Sequence, residues 1–228
     1  MRFLAIVAFT FTEKGAAELK ERIISRRREE LEDVHGLAEM YVGTIHAFCL
    51  KFLKTEVPEY LKFDVLNEVQ QKLFIDRHSK TSGLTASTDL EGRSLRRFTD
   101  THHYINATSI LREARTKKSM LRSCSIVSGL ESYRELLISK KYFDYSSILE
   151  AAADSIRKDR SVRDRLSKRI RHVIVDEYQD VNPIQEEIVG LLNGLGAHIC
   201  VVGDDDQTVY QWRGSNVQGI LKFQERYG

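Results

Sequence analysis

The sequence predicts an α/β fold, a parallel sheet interrupted by one helical insertion. Three observations carry this. Short apolar runs at residues 4–10, 173–176 and 199–202 alternate with segments that are apolar at helical spacing, the pattern of βα units. Two of these runs end abruptly in carboxylates, at Asp176-Glu177 and Asp204-Asp205-Asp206. Buried parallel strands do this when they deliver polar groups to the carboxyl edge of a sheet, where open α/β sheets bind ligands. Between about residues 79 and 141 strand signals vanish, and polar and basic residues take over.

Composition sets the outer bounds. A chain of 228 residues, 42% of them apolar, can build a sizeable core as one large domain or two small ones. The net charge is only +2, so contact with nucleic acid has to come from local patches rather than bulk charge. Cys49, Cys124 and Cys200 are odd in number and far apart. They form neither a metal spacing nor a disulfide framework, which suits a reducing cytosol and a cytoplasmic location. The apolar start, residues 1–9, is short and lacks a small-residue cleavage site, so it reads as a buried strand rather than a signal peptide. No run approaches membrane-spanning length.

In chain order, residues 4–10 form the first strand. Thr12 sits where an N-cap belongs, and residues 13–31 form a helix with Ala16, Leu19, Ile23 and Ile24 on one face. Its exterior mixes Lys20, Arg22, Arg26, Arg27 and Arg28 with Glu21, Glu29 and Glu30, which suits either a solvated face or a phosphate-facing edge. Tyr41-Val42-Gly43-Thr44 is a short strand and turn. Ile45, Phe48, Cys49, Phe52 and Leu53 then mark one helix face. Residues 63–66 are another strand, and Asn67 with Gln70 makes a capping box for the next helix.

The insertion at 79–141 carries Arg93, Arg96, Arg97, Arg112, Arg115, Lys117, Lys118 and Arg122. Its apolar faces are Ile110, Leu111 and Ala114, then Leu130, Leu136 and Leu137. His102-His103 has no third ligand at a usable spacing and reads as a surface pair. Phe143-Asp144-Tyr145 leads into a helix through Ile148, Leu149 and Ala152. Residues 173–176 are a strand, and Pro183 opens a helix whose buried face is Ile184, Ile188, Leu191 and Leu192. After the strand at 199–202, Val217, Ile220, Leu221 and Phe223 mark a final helix.

The acidic strand ends carry the chemistry. An Asp closing a buried strand can hold Mg²⁺ through oxygen contacts, and a neighbouring carboxylate can deprotonate a water that attacks a γ-phosphate. The rival reading, a solvated acidic turn, does not explain the apolar run that feeds into it. Gln207 can sense a γ-phosphate or position that water. Tyr210, Trp212 and Arg213 follow on one short stretch and make a stacking platform for single-stranded bases, although Tyr and Trp also serve simply as core.

These residues carry a resemblance to a known family. Val175-Asp176-Glu177-Tyr178-Gln179-Asp180 resembles motif II, and Gly203-Asp204-Asp205-Asp206-Gln207-Thr208-Val209-Tyr210-Gln211-Trp212-Arg213-Gly214 resembles motif III, of the UvrD/Rep-like superfamily 1 DNA helicases. Residues 10–19 are similar to motif Ia, with Glu13 and Gly15 where the family usually has Asn and Ala. Gly43-Thr44-Ile45-His46-Ala47-Phe48 and residues 143–149 are similar to two further motifs.

The resemblance implies an incomplete RecA-like parallel sheet, with residues 1–78 and 142–228 as the motor core and 79–141 as its helical insertion subdomain, whose basic residues contact DNA. It implies ATP and Mg²⁺ as cofactors, single-stranded DNA or a single/double-strand junction as partner, a role of the kind found in DNA repair, and 3′ to 5′ movement. Asp176 would bind Mg²⁺ and Glu177 would be the catalytic base. Gln207 would contact the γ-phosphate, and Arg213 would couple the nucleotide site to DNA. Phe11, Tyr210 and Trp212 would stack on bases, with Thr12 and His46 near the strand's backbone.

One motor element is missing. No glycine in this sequence is followed by lysine, so it contains no G-x-x-x-x-G-K-[ST] phosphate loop. By the resemblance that loop lies upstream of residues 10–19, and a second motor domain follows Gly228. The chain alone is therefore expected to lack turnover and to need both as partners. In the family fold the P-loop strand lies beside the strand at 199–202, so that edge is expected to be unpaired, inviting a partner segment or aggregation. Two other readings remain at this point: a non-catalytic single-stranded DNA-binding remnant, and a subunit of a helicase–nuclease complex.

Overall fold

A computed structural model describes residues 5–30, 40–89, 91–115, 125–204 and 223–227. In chain order the elements are β1 (Ile6–Thr10), α1 (Glu13–Glu30), β2 (Met40–Thr44), α2 (Ile45–Glu56), β3 (Asp64–Val65), α3 (Glu68–Arg77), α4 (Thr101–Glu113), α5 (Ser125–Lys140), β4 (Tyr142–Phe143), α6 (Tyr145–Lys158), α7 (Arg160–Arg169), β5 (His172–Val175), α8 (Pro183–Gly194), β6 (His198–Val201) and α9 (Phe223–Tyr227). The chain divides into two units, Met1–Val57 with Ala151–Gly228, and Pro58–Glu150. Among the described residues no helix is long and apolar enough to cross a membrane.

The first unit is built on a four-stranded sheet in the order β2-β1-β5-β6, every pair parallel. Val7, Phe9, Val173 and Val175 are at most 1% exposed, so the central strands are near-continuous apolar runs, as a buried parallel sheet requires. Phe9, Tyr41 and Phe48 pack edge-to-face, with centroids 5.2 to 6.3 Å apart, and lock α2 to β1 and β2. The expected α2 face is buried throughout: Ile45, Phe48, Cys49, Phe52 and Leu53. On α8 the buried face is Ile184, Gln185, Ile188, Val189 and Leu192. Val189 thus takes the place expected for Leu191, which is only half-buried.

Among the described strands β6 pairs only with β5, so it is an edge. Its Cys200 is exposed and Val202, just beyond it, is 56% exposed.

The second unit holds the short parallel pair β3 and β4 and the helices α3, α4 and α5. Its core is Leu66, Ile75, Leu84, Leu95, Tyr104, Tyr133 and Leu137. The capping box at Asn67 and Gln70 forms with both hydrogen bonds in place, at 2.9 and 3.0 Å. Gly83 has φ +77°, and a Cβ there would fall on the backbone of Gly129 in α5, so only glycine fits this crossing.

Helix α4 corrects the expected face. Ile110 is 44% exposed, whereas Thr101, Tyr104, Thr108 and Arg112 are buried. Most of these buried polar groups are satisfied nearby, whereas Nη2 of the Arg112 guanidinium is buried with no hydrogen-bond partner among the described residues. Thr101 donates to Asp76, the Tyr104 hydroxyl donates to the Ser82 carbonyl at 2.8 Å, and Thr108 donates to the Tyr104 carbonyl at 2.8 Å. Arg112 was expected among the DNA-facing cations, but its side chain is fully buried. It donates to Asp144 and to Glu150, both at 2.8 Å. Asp144 also accepts from Gln71 at 3.1 Å and from the Ser147 amide at 2.8 Å, which starts α6. A cation can sit inside only where carboxylates are buried with it.

Candidate functional site

The site grows from the carboxyl ends of β1, β2 and β5. After β1, the Thr12 hydroxyl accepts the Gly15 amide at 3.0 Å and caps α1. A Cβ at Gly15 would lie 3.2 Å from that hydroxyl oxygen, so the glycine leaves room for the cap. After β2, Thr44 accepts the Ala47 amide at 3.2 Å and caps α2, while its own hydroxyl donates to Glu13 at 2.9 Å. Glu13 thereby ties the start of α1 to the start of α2. The Tyr41 hydroxyl donates to the Thr44 carbonyl at 3.0 Å; burial first, and then the Glu13 charge, push its phenol well above the ordinary range.

Asp176 follows β5. Its amide donates to the Phe9 carbonyl at 2.9 Å, extending the β1–β5 ladder by one step. Thr10, Phe11, Thr44, His46, Asp176 and Gln185 line one small pocket, floored by Phe9 and Val175. Of the residues expected at the site, Phe11, His46 and Asp176 thus come together. Thr12 and Glu177 lie in the adjoining turns and are not part of the pocket wall. Gln207, Tyr210, Trp212 and Arg213 lie outside the described residues.

The turn after Asp176 is unusual. Glu177 has φ +52° and ψ +45°, a left-handed conformation uncommon for any residue that carries a Cβ. Its carboxylate accepts from the Gln179 amide group at 2.6 Å, and the Gln179 carbonyl oxygen accepts the Asp204 amide at 3.1 Å. The Tyr178 amide donates to the Val202 carbonyl at 3.0 Å. Gln179 is 1% exposed and so joins the two acidic strand ends from inside. The sequence does not single out Gln179 as a site residue, because the bridge it makes joins groups that are distant in sequence.

A family model described as the UvrD/REP helicase N-terminal domain matches residues 2–228. The chain belongs to this family. Its four parallel strands with flanking helices are part of the RecA-like sheet of the UvrD/REP helicases. The ATP-dependent DNA helicases PcrA of Staphylococcus epidermidis and Staphylococcus aureus are each 26% identical over 232 residues, alignments that cover 97% of this chain. The chain spans about 30% of the length of these curated relatives.

In this UvrD/REP chain the donor set for a metal is sparse. Among the described residues no three His, Cys, Asp or Glu side chains are grouped to hold an ion. One Asp176 oxygen accepts the Glu177 amide at 3.1 Å, and the other makes no hydrogen bond to a described residue. A single available carboxylate oxygen suits Mg²⁺, which takes one or two carboxylates and completes its shell with phosphate oxygens and water.

Asp180 closes the same turn, with one carboxylate oxygen buried and unpartnered among the described residues. Burial, and then the Glu177 charge, raise its carboxyl above the ordinary range. The folded state therefore holds this proton more tightly than the unfolded chain, and the ionised group lowers stability once the pH rises through the folded value. Asp180→Asn is expected to raise Tm at neutral pH. The gain should fade as the pH drops below the ordinary carboxylate range, and a gain that grows in acid would contradict the assignment.

Proposed function

We propose that this chain forms the strand-tracking and water-activating part of the first motor domain of an ATP-dependent 3′ to 5′ DNA helicase, working in the cytoplasm. The observation that carries the reading is the convergence of Thr10, Phe11, Thr44, His46 and Asp176 on one pocket at the carboxyl edge of the sheet. Asp176 would hold the Mg²⁺ of an ATP complex, and the ion would supply neutralisation of phosphate charge there. Glu177, oriented by Gln179, takes the proton of the attacking water. Gln207 contacts the γ-phosphate and Arg213 links the nucleotide to DNA. Phe11, Tyr210 and Trp212 stack on bases, with Thr12 and His46 against the backbone. Residues 79–141 are the insertion subdomain of this motor, and residues 1–78 and 142–228 are its core.

The sequence contains no G-x-x-x-x-G-K-[ST], and phosphoryl transfer depends almost wholly on positioning and electrostatic stabilisation. Residues 1–228 alone are therefore expected to turn over no ATP, because turnover needs a phosphate loop that this stretch does not contain. The same observation favours a second reading, in which the chain holds single-stranded DNA without turnover.

Binding of a labelled polythymidine oligonucleotide tests what the two readings share. Phe11→Ala is expected to weaken it by about 1–3 kcal/mol, the usual worth of one base–aromatic stack. Unchanged affinity in that variant would remove the carboxyl edge from the DNA path.

A further inference from the structure

Residues 157–171 carry eight Lys and Arg against two Asp, in a chain whose net charge is +2. Much of this charge is used internally. Arg157 pairs with Asp154 at 2.7 Å and with Glu187, Lys158 pairs with Asp154 at 2.8 Å, and Arg165 and Arg169 both pair with Glu56. Arg163 donates to the Ile156 and Arg157 carbonyls and so caps the end of α6. Three cations remain. Arg160 is 89% exposed and makes a loose pair at 4.0 Å with Asp164, itself 63% exposed, while Lys168 and Arg171 are exposed and have no carboxylate within pairing distance among the described residues.

Helix stability does not explain the set. Lys168 in the last turn of α7 suits the helix dipole, but Arg160 occupies the first position, where a cation opposes it. Arg160 and Lys168 are separated by about 12 Å along the helix at 1.5 Å per residue, and Arg171 lies two residues past the helix end, next to the start of β5. Arg171 lies at the amino edge of the sheet, opposite the edge that carries Asp176. His172 and His198, stacked with centroids 5.5 Å apart, lie along the same edge.

We propose that this stripe is a second nucleic-acid contact, binding the phosphodiester backbone of duplex DNA without reading sequence. It rests on the reading that DNA is the partner. The apolar residues of α7, Val162 and Leu166, are 0% and 5% exposed, so the helix offers no apolar anchor of the kind a protein partner uses. Single-strand sites interleave cations with stacking aromatics, and α7 contains no aromatic residue. Duplex DNA presents one charge per about 1.7 Å of axis, so cations separated by about 12 Å along a helix can reach several phosphates.

The test is fluorescence anisotropy of a short blunt duplex and of a polythymidine oligonucleotide over a salt series. It compares the chain with Arg160→Gln/Lys168→Gln/Arg171→Gln and, separately, with Arg171→Glu. The triple variant is expected to bind duplex about tenfold or more weakly at low salt, and its log K against log salt slope to shrink by about 2–3, at about 0.9 per lost contact. Polythymidine binding should hold, and Arg171→Glu should reproduce part of the loss. An unchanged slope, absent duplex binding by the parent chain, or equal capture of polyglutamate through these residues would overturn the inference. Absent polythymidine binding with salt-steep duplex binding intact would instead sink the proposed function and leave this surface standing.

Discussion

Arg112→Leu is expected to remove about 3–5 kcal/mol of stability, because it leaves a buried carboxylate without its cation. The Arg112 and Asp144 side chains are 0% and 2% exposed, and Glu150, the second carboxylate, is 15% exposed. Gln71 bridges Asp144 and the Tyr133 hydroxyl, at 3.1 Å each, so the network runs through α3, α4, α5 and α6. Burial alone would raise the Asp144 carboxyl; the Arg112 charge and its hydrogen bond override this and hold it below the ordinary range. A depressed carboxyl contributes stability above its unfolded pKa and loses it as the pH falls through the folded one. In the variant burial is opposed only by the hydrogen bonds from Ser147 and Gln71, so the deficit should be largest at neutral pH and should narrow in acid. Urea unfolding across pH checks both statements. A neutral-pH loss below about 1 kcal/mol would mean that water reaches the pair, since solvated pairs contribute about that or less.

The second large effect concerns Glu177. When the chain is joined to a phosphate-loop strand and helix and a second motor domain from a family member, DNA-stimulated ATP hydrolysis is expected. Glu177→Gln should lower it by about 10²–10⁴, the usual contribution of a positioned general base. ATP binding should be little changed, because the amide keeps the shape of the side chain and the hydrogen-bonding capacity toward Gln179. Single-turnover assays separate the two effects. A rate within a few-fold of the parent would move the base elsewhere on the acidic edge, with the Asp204 turn as the next place to look.

The fold was legible where packing follows simple periodicity. The strands at β1, β5 and β6, the α2 face and the Asn67–Gln70 box all follow from spacing and capping chemistry. The buried face of α4 was not, because Thr101, Thr108 and Arg112 read as surface types until their partners are known. Helix α7 was missed because only Val162 and Leu166 among its ten residues are apolar, and its start depends on Asp159 accepting the Ser161 and Val162 amides. At the site, Asp176 and Glu177 stood out as acids at a strand end. The bridge through Gln179 joins groups that are distant in sequence, and no local pattern encodes it.

The sheet order also bears on how the chain reaches its fold. Strand β1 pairs with β5 through Ile6 and His172, residues 166 positions apart in the sequence. Closing so long a loop slows folding, since the entropy must be lost before the non-local contacts reward it. The whole of Pro58–Glu150 lies inside that loop and forms a unit with its own core. If that unit condenses early, it removes its length from the loop, and each halving lowers the closure cost by about 0.6 kcal/mol. Order in that unit would then set the rate at which the four-stranded sheet assembles.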